Sequence, residues 1–328
     1  MNGILGGPFE GVHCETTAFI NLALSTGTSL TEPMAFGLGC GLSFIYRHSK
    51  RMLQPFVGGR VKPDWIMRNA SAALGLELIE EQTTSPRKAE SELLRNLDRG
   101  RVVGLKLDRF YLDYTHDEYH FPAHYVACLG YSGNDMILAE TTPLGIQTTS
   151  RFSLAAARAA KGPMSSRHLS LRLEGERKHT FDIVEACRYA IRQTSHEFLN
   201  PSISNSGHKG IAKTAGRITK WASELADPVA AAHRTGVLME RGGTGGGLFR
   251  GLWSVFLREA YRLSGVAAYR QGAESYREIA AMWTEFADLL RGTTGATLAG
   301  DLERGAAMLG QLAYREYDAM SSLAKAVP

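Results

Sequence analysis

The stretch Val-His-Cys-Glu-Thr-Thr-Ala-Phe-Ile-Asn, residues 12–21, places Cys14 at the beginning of an apolar run. Apolar side chains from Ala18 to Leu24 recur with helical spacing, which predicts a helix that begins near the cysteine. A cysteine is nucleophilic as the thiolate, and the pKa of a thiol falls at a helix N-terminus beside an imidazole. The free amides of such a helix start can also stabilise an oxyanion. The stretch therefore predicts a nucleophilic thiol on a helix start.

A histidine and a carboxylate that could complete this site lie far downstream. His124 begins the segment His-Tyr-Val-Ala-Cys-Leu-Gly-Tyr, and Glu140 follows a second strand-like segment at 136–139. The residues between the segments, Tyr-Ser-Gly-Asn-Asp, are typical of a hairpin turn. A hairpin can place the start of one strand beside the end of the next, so the two side chains could be neighbours. Thiol catalysis needs this set, because the imidazole accepts the thiol proton and a polar group orients the imidazole.

Each of the three residues also has a purely structural interpretation. Cysteine is among the most buried residue types, so Cys14 taken alone could be a small core residue. His124 is one of ten histidines, and Glu140 could be a hydrogen-bonded carboxylate at a strand end. The catalytic hypothesis depends on the three occurring together. The other cysteines lie in contexts that favour an inert thiol: Cys40, Cys128 and Cys187.

The pattern predicts an α+β domain with an antiparallel sheet at 1–175 and an all-α domain at 176–328. Expected strands cover 41–46, 76–79, 102–107, 125–129, 136–139 and 169–173. Expected helices cover 64–74, 85–97, 181–199, 207–226, 228–240, 248–264, 267–291 and 296–324. Ser85 and Pro86 are the expected N-cap and first residue of the second of these helices.

The composition excludes several classes of protein. The hydrophobic fraction of 44% and the charged fraction of 21% are typical of a folded globular protein. The net charge of +4 comes without Lys/Arg clusters, which argues against nucleic-acid binding and leaves an acidic partner compatible. Neither a membrane span nor a signal peptide is predicted, so a cytoplasmic protein is expected. Four scattered cysteines without a CxxC pair predict reduced thiols. A homodimer is compatible with the sequence.

Several segments together resemble a known family. They are the stretch around Cys14, Thr-Glu-Pro-Met-Ala-Phe-Gly-Leu-Gly-Cys-Gly-Leu-Ser-Phe-Ile-Tyr from Thr31, and Phe-Pro-Ala-His-Tyr-Val from Phe121. These segments resemble the N-terminal domain of the butirosin biosynthesis protein H family. Arg-Gly-Gly-Thr-Gly-Gly-Gly-Leu-Phe-Arg from Arg241 is similar to the helical domain of unknown function that habitually follows it. The N-terminal half is more distantly similar to papain-like peptidases that process bacteriocin leader peptides.

The resemblance implies a papain-like cysteine acyltransferase of natural-product biosynthesis, including antibiotic biosynthesis. The acyl group would move from the phosphopantetheine thioester of an acyl carrier protein or peptide carrier protein to an amine on a small molecule or peptide. Cys14 would be the nucleophile, His124 the acid/base and Glu140 the orienting carboxylate. The donor's phosphopantetheine arm would be the only cofactor, with no metal and no bound group. Helices of the second domain would shape the substrate cleft.

Two features depart from the papain-like pattern. Residues 7–13 lack the glutamine that usually precedes the cysteine, which leaves the Cys14 amide and an unidentified second oxyanion donor. His13 and Gln54 are candidates for that donor. Glu140 stands where an aspartate or asparagine is more familiar, and its longer side chain makes the orienting role harder to assign.

Three further groups invite a binding role. Asp108 and Tyr111 follow an expected strand end and could contact substrate, or could cap a turn and pack at the surface. The glycines before Leu248 could cradle a phosphate with the help of Arg250, or could form a close-packed turn. A short His/Asp/Glu run could suggest a metal site, but it lacks zinc-ligand spacing and is typical of a solvated loop. That run contains Asp113, His116, Asp117, Glu118 and His120.

Two other functions remain open from the sequence. The same residues could serve a cysteine peptidase, or a thioesterase or cyclase that releases a carrier-bound chain. The fold could also be a non-catalytic binding module, in which case Cys14 would react like an ordinary thiol.

Overall fold

The computed structural model describes residues 7–49, 52, 54–116, 120–162, 164–175 and 182–326. The protein is α+β, with antiparallel strands in the N-terminal part and a mostly helical C-terminal part, as predicted. Its contacts divide it into two compact units. The first comprises Met1–Ala35 and Pro63–Phe181, and the second comprises Phe36–Lys62 and Asp182–Pro328.

Helices and strands are interspersed through the N-terminal part, and helices follow one another from residue 183 onwards. The helices are α1 (Cys14–Ser25), α2 (Glu32–Leu38), α3 (Trp65–Leu74), α4 (Pro86–Asp98), α5 (Arg151–Ala159), α6 (Ile183–Leu199), α7 (Gly207–Ile218), α8 (Trp221–Glu224), α9 (Pro228–Arg241), α10 (Arg250–Ser264), α11 (Ala267–Gly292) and α12 (Leu298–Lys325). The strands are β1 (Leu42–Arg47), β2 (Phe56–Arg60), β3 (Glu77–Glu81), β4 (Val103–Leu107), β5 (His124–Ser132), β6 (Asp135–Ala139), β7 (Ile146–Ser150) and β8 (Ser170–Glu174). Short 3-10 turns lie at Arg109–Tyr111 and Gly247–Phe249.

The first unit is built on one antiparallel sheet with the strand order β3-β8-β4-β5-β6-β7. Strands β5 and β6 form the predicted hairpin, which turns through Gly133 with a positive φ of 57°. Apolar side chains of β4, β5 and β6 pack with α4 and α5 into a buried cluster that includes Leu105, Val126 and Leu138. The sheet therefore packs against a continuous buried core, which fixes the positions of its strand ends.

Local chemistry explains where α4 begins and ends. Ser85 is the N-cap and its hydroxyl accepts a hydrogen bond from the Lys88 amide at 3.3 Å, with Pro86 at the first helical position, as predicted. The chain leaves the helix at Gly100, which has a positive φ of 71°. By contrast, β7 and α5 were not predicted, because Ile146–Ser150 is mostly polar and shows no apolar alternation.

The second unit joins a hairpin to the helices. Strand β1, predicted from its aromatic and β-branched residues, pairs with β2 and packs within this unit. The Phe44 ring stacks against Trp283 of α11 at 5.7 Å, and the Trp221 indole donates to the Tyr46 hydroxyl at 3.2 Å. The division of the chain into domains at 1–175 and 176–328 stays a prediction. Residues 36–62 pack with the helices, which their position in the sequence does not reveal.

The predicted helices of the C-terminal part are present with small shifts at their ends, with one exception. The single helix expected at 207–226 is two helices, α7 and α8, separated by Thr219 and Lys220. Among the described residues, no helix combines the length and apolar character that crossing a membrane requires.

Candidate active site

Cys14 is the first residue of α1, so its sulfur lies at the positive end of the helix dipole. The preceding residue, His13, is the N-cap, and its Nδ1 accepts a hydrogen bond from the Thr16 amide at 3.4 Å. Cys14 is partly exposed, whereas the other three cysteines are buried. The predicted helix start is therefore present, and it carries the one cysteine of the four that is partly exposed.

The loop before Cys14 is held by the buried carboxylate of Glu32. Its oxygens accept hydrogen bonds from the Val12 amide at 3.0 Å, the His13 amide at 2.8 Å and the Thr16 hydroxyl at 2.8 Å. A carboxylate that is buried away from water needs hydrogen-bond donors from the protein, and these three donors supply them. This network fixes the point where α1 begins and so fixes the position of the sulfur.

His124 and Glu140 form a buried pair. The ring nitrogen Nε2 of His124 lies 2.9 Å from Oε1 and 3.1 Å from Oε2 of Glu140. Only 4% of His124 and 1% of Glu140 is exposed. Oε2 of the glutamate also accepts a hydrogen bond from the Thr141 amide at 3.1 Å. The carboxylate is therefore aimed at one imidazole nitrogen and shielded from water.

The hairpin register explains why these two residues meet. In β5 and β6, Ala127 lies opposite Ala139. One step further along this register brings Val126 opposite Glu140, and His124 is two residues beyond Val126 on the same face. Diagonal neighbours of this kind are within reach of long side chains. The predicted cross-strand relationship is thus present as a diagonal pair.

Electrostatics of the pair favour the ionised forms of both groups. Burial by itself lowers the pKa of His124, but the charge of Glu140 and hydrogen bonds to Cys14 and Glu140 outweigh it and raise this pKa to about 10. Burial acts to raise the pKa of Glu140, but the charge of His124 and the hydrogen bonds that the carboxylate accepts bring it below its ordinary value. The geometry therefore supports an imidazolium beside a carboxylate at neutral pH.

Cys14 hydrogen-bonds His124, and this contact is among the causes that raise the pKa of the imidazole. Since Nε2 is occupied by Glu140, Nδ1 is the nitrogen available to the thiol. Electrostatic interaction is reciprocal, so an imidazolium at this position stabilises a Cys14 thiolate. The three predicted residues are thus brought together in the order thiol, imidazole, carboxylate.

Residues 152–323, more than half of the chain, match the family model described as Domain of unknown function (DUF4872). Residues 13–141 match the model described as Butirosin biosynthesis protein H, N-terminal. The chain belongs to the family that joins these two domains. No curated protein matches it. The match over residues 13–141 includes Cys14, His124 and Glu140, and it also includes the hairpin of β1 and β2.

The other three thiols are unsuited to nucleophilic attack. Burial raises the pKa of each of them to about 12. A thiol with such a pKa is almost wholly protonated at neutral pH and reacts slowly. This difference supports the assignment of inert roles to Cys40, Cys128 and Cys187.

Tyr114 is a site residue that the sequence did not single out. Its hydroxyl donates to Oε1 of Glu140 at 2.9 Å, the oxygen that also faces His124. The residue ends the segment Leu-Asp-Arg-Phe-Tyr-Leu-Asp-Tyr, which also contains the candidates Asp108 and Tyr111. Nothing in the spacing of that segment indicates which tyrosine faces the carboxylate.

Asp108 organises the loop that follows β4. Only 1% exposed, it accepts hydrogen bonds from the Phe110 amide at 3.2 Å and the Phe121 amide at 3.0 Å, and it pairs with His120 Nδ1 at 2.8 Å. It is thus the cap of a turn, as the structural alternative expected. The turn leaves Tyr111 exposed, with its ring against those of Phe110 and His120. Because Leu107 pairs with His124, this aromatic group lies at the same end of the sheet as the candidate triad.

The two candidates for the second oxyanion donor have other contacts. His13 caps α1 through its Nδ1. Gln54 lies in the second unit, where its side-chain carbonyl accepts a hydrogen bond from Arg234. The Cys14 amide remains at the helix start, and the second donor stays unassigned.

In the glycine-rich segment of the helical domain, the groups that could bind a phosphate already contact other parts of the protein. The Gly247 amide, which a phosphate would need, donates to the carboxylate of Glu240 at 2.9 Å. Arg250 is fully buried and makes a two-point ion pair with Glu316 at 3.0 Å, and it donates to the Gly59 and Leu248 carbonyls. These contacts favour the close-packed turn over the predicted phosphate cradle.

The described residues contain no group of three or more His, Cys, Asp or Glu side chains that could hold a metal ion. In the run considered for a metal site, Asp117 and Glu118 lie outside the described residues. Asp113 instead accepts hydrogen bonds from the Ser150 amide at 2.6 Å and from the Thr149 hydroxyl at 3.1 Å. That carboxylate ties the loop to β7.

Proposed function

We propose that this protein is a cysteine-dependent acyltransferase of natural-product biosynthesis. The acyl donor is the phosphopantetheine thioester of an acyl or peptide carrier protein, and the acceptor is an amine on a small molecule or peptide. The single observation that carries the proposal is the line of contacts from Cys14 through His124 to Glu140. Family membership supports the biosynthetic setting, since the N-terminal model is named for butirosin biosynthesis. A papain-like mechanism and a cytoplasmic setting belong to the same proposal.

Acylation begins with attack of the Cys14 thiolate on the carbonyl carbon of the donor thioester. A new carbon–sulfur bond forms, and negative charge moves to the carbonyl oxygen, where the amide at the start of α1 stabilises it. Collapse of this intermediate breaks the bond to the pantetheine sulfur. The departing thiolate takes the proton from His124, which leaves a neutral imidazole beside the acyl-enzyme.

Transfer reverses the roles of these groups. The acceptor amine attacks the acyl-enzyme carbonyl, His124 takes a proton from the amine nitrogen, and the Cys14 thiolate departs. The amide product leaves behind the thiolate and imidazolium with which the cycle began. Glu140 holds the imidazole in place throughout and stabilises its charged form. Burial of both residues keeps bulk water from this side of the site, which favours an amine over hydrolysis.

The exposed group of Phe110, Tyr111 and His120 lies at the same end of the sheet as His124 and supplies a surface for the donor or acceptor. Aromatic rings offer a large apolar area at low entropic cost, and an acyl chain or the pantetheine arm can lie against them. Asp108 serves this surface indirectly, because it fixes the turn that presents Tyr111.

Acyl capture can be tested directly by mass spectrometry. Acetyl-phosphopantetheine is mixed with the protein, and the peptide that contains Cys14 is examined for one added acetyl group. We expect this adduct in the wild type and in Cys187→Ala, and its loss in Cys14→Ala. An absent adduct in the wild type, or an unchanged one in Cys14→Ala, would contradict the proposal.

The same experiment separates transfer from hydrolysis. The acyl-enzyme should persist without an amine and disappear when an amine acceptor is added, with an amide as product. Rapid release of free acetate with no dependence on amine would instead identify a thioesterase that uses the same three residues.

A further inference from the structure

Tyr114 shares an oxygen of Glu140 with His124. The hydroxyl of Tyr114 and Nε2 of His124 both lie 2.9 Å from Oε1, while the Thr141 amide donates to Oε2 at 3.1 Å. The carboxylate is therefore held by donors on both oxygens. Because a carboxylate only accepts hydrogen bonds, the tyrosine hydroxyl must be the donor in this contact.

The loop that carries Tyr114 is anchored on both sides of that residue. Leu112 is buried in the core of the first unit, and the Tyr114 ring packs against the same cluster. Asp113 ties the loop to β7 through the Ser150 amide and the Thr149 hydroxyl. These contacts fix the ring independently of Glu140, so the hydroxyl is preorganised rather than free to follow the carboxylate.

This arrangement compensates for a glutamate in the third position of the triad. Glutamate has one more rotatable bond than aspartate, so its carboxylate can turn away from an imidazole more easily. A rigid donor on one oxygen and a backbone amide on the other restrict that extra freedom. Tyr114 thereby restricts the orientation of the Glu140 carboxylate, which in the shorter aspartate would be restricted by the side chain itself.

We propose that Tyr114 is a positioning residue, which holds the Glu140 carboxylate against His124 and so maintains the thiolate–imidazolium pair at Cys14. The proposal rests on the proposed function of these three residues. Burial and the nearby charge of Glu140 raise the pKa of Tyr114 above its ordinary value, so the hydroxyl stays protonated and continues to donate. Arg109 lowers this pKa and Cys128 raises it, and both act on Tyr114 more weakly than Glu140 does.

The test is the rate at which iodoacetate alkylates Cys14 as a function of pH, because the imidazolium attracts this anionic reagent and the rate falls when the imidazolium loses its proton. In Tyr114→Phe the glutamate turns away part of the time, so we expect the basic limb of the profile to move down by about one pH unit. The control is Tyr131→Phe, which removes a tyrosine–carboxylate contact to Asp98 at 2.6 Å elsewhere in the same unit. It should match the wild type.

A double variant distinguishes positioning from a general structural role. If Tyr114 acts through Glu140, Tyr114→Phe combined with Glu140→Gln should behave like Glu140→Gln alone. Additive losses would overturn the proposal, as would a Tyr114→Phe profile that coincides with that of the wild type or moves to higher pH.

One measurement needs no substitution. In the folded wild-type protein, the Tyr114 hydroxyl proton should exchange slowly and show a nuclear Overhauser contact to the His124 ring. Its absence overturns the proposal even where Tyr114→Phe fails to fold. A wild type without preferential alkylation of Cys14 would instead remove the proposed function itself.

Discussion

At the scale of single residues, the decisive feature is the pair formed by His124 and Glu140. Burial of either ion alone would destabilise the folded protein. The attraction between the two ions offsets this desolvation penalty, so the folded protein retains two charges that are almost inaccessible to water. This pair distinguishes Cys14, which contacts the imidazole, from the other cysteines, whose pKa is raised by burial.

The pair makes stability depend on pH in a predictable direction. The pKa of His124 rises from 6.5 to about 10 on folding, so its contribution is fully present below pH 6.5 and is lost as pH rises towards 10. The pKa of Glu140 falls below 4.5, so its contribution is present above pH 4.5 and is lost at lower pH. We expect Glu140→Gln to lower the free energy of unfolding by a few kcal/mol at pH 6.

Urea unfolding of the wild type and of Glu140→Gln at pH 6 and pH 9.5 checks this expectation. The difference between the two proteins should shrink at the higher pH, because part of the imidazolium is then deprotonated in the wild type. A difference that stays constant over this range would show that the pair does not titrate in this way.

At the scale of elements, hydrogen bonds to Glu32 join the start of α1 to the loop before it. A glutamine at this position keeps the shape but replaces one accepting oxygen with a donor, which then faces backbone amides. We expect Glu32→Gln to lower the free energy of unfolding by about 2 kcal/mol and to slow alkylation of Cys14, since the helix start loosens.

Urea unfolding and the alkylation rate measure the two effects of Glu32→Gln. Glu303→Gln on the exposed side of α12 is the matched control, and surface changes of this type usually alter stability by less than about 0.5 kcal/mol. Equal behaviour of the two variants would contradict the role assigned to Glu32.

Some elements could be predicted from local patterns and others could not. Helix α4 begins at Ser85-Pro86 for reasons that its own residues supply, and the hairpin of β5 and β6 follows from its turn residues. Strand β7 carries mainly polar residues, so only its pairing with β6 identifies it as a strand. The break between α7 and α8 likewise lacks a proline or glycine signal.

At the scale of the whole molecule, the second unit depends on a buried ion pair. Arg250 and Glu316 are both fully buried, and the Trp283 indole donates to the same glutamate at 2.7 Å. Removing one partner leaves an uncompensated charge, so Arg250→Met should lower the free energy of unfolding by about 3–5 kcal/mol. The double variant Arg250→Met with Glu316→Leu should recover much of that loss.

Urea unfolding of the two single variants and the double variant measures this coupling. If Arg250 bound the phosphate of the donor instead, Arg250→Met would weaken the reaction with acetyl-phosphopantetheine while leaving stability nearly unchanged. That result would restore the phosphate-binding role predicted from the sequence.

The amino-acid sequence by itself determined the α+β class, most helices of the C-terminal part and the identity of the three candidate residues. These features depend on local periodicity, capping and turn chemistry, or on segments that resemble a family. Only the tertiary structure decided that residues 36–62 pack with the helices, that Arg250 is paired inside the protein, and that Tyr114 faces Glu140. These outcomes depend on contacts between residues distant in the chain, and no local pattern specifies them.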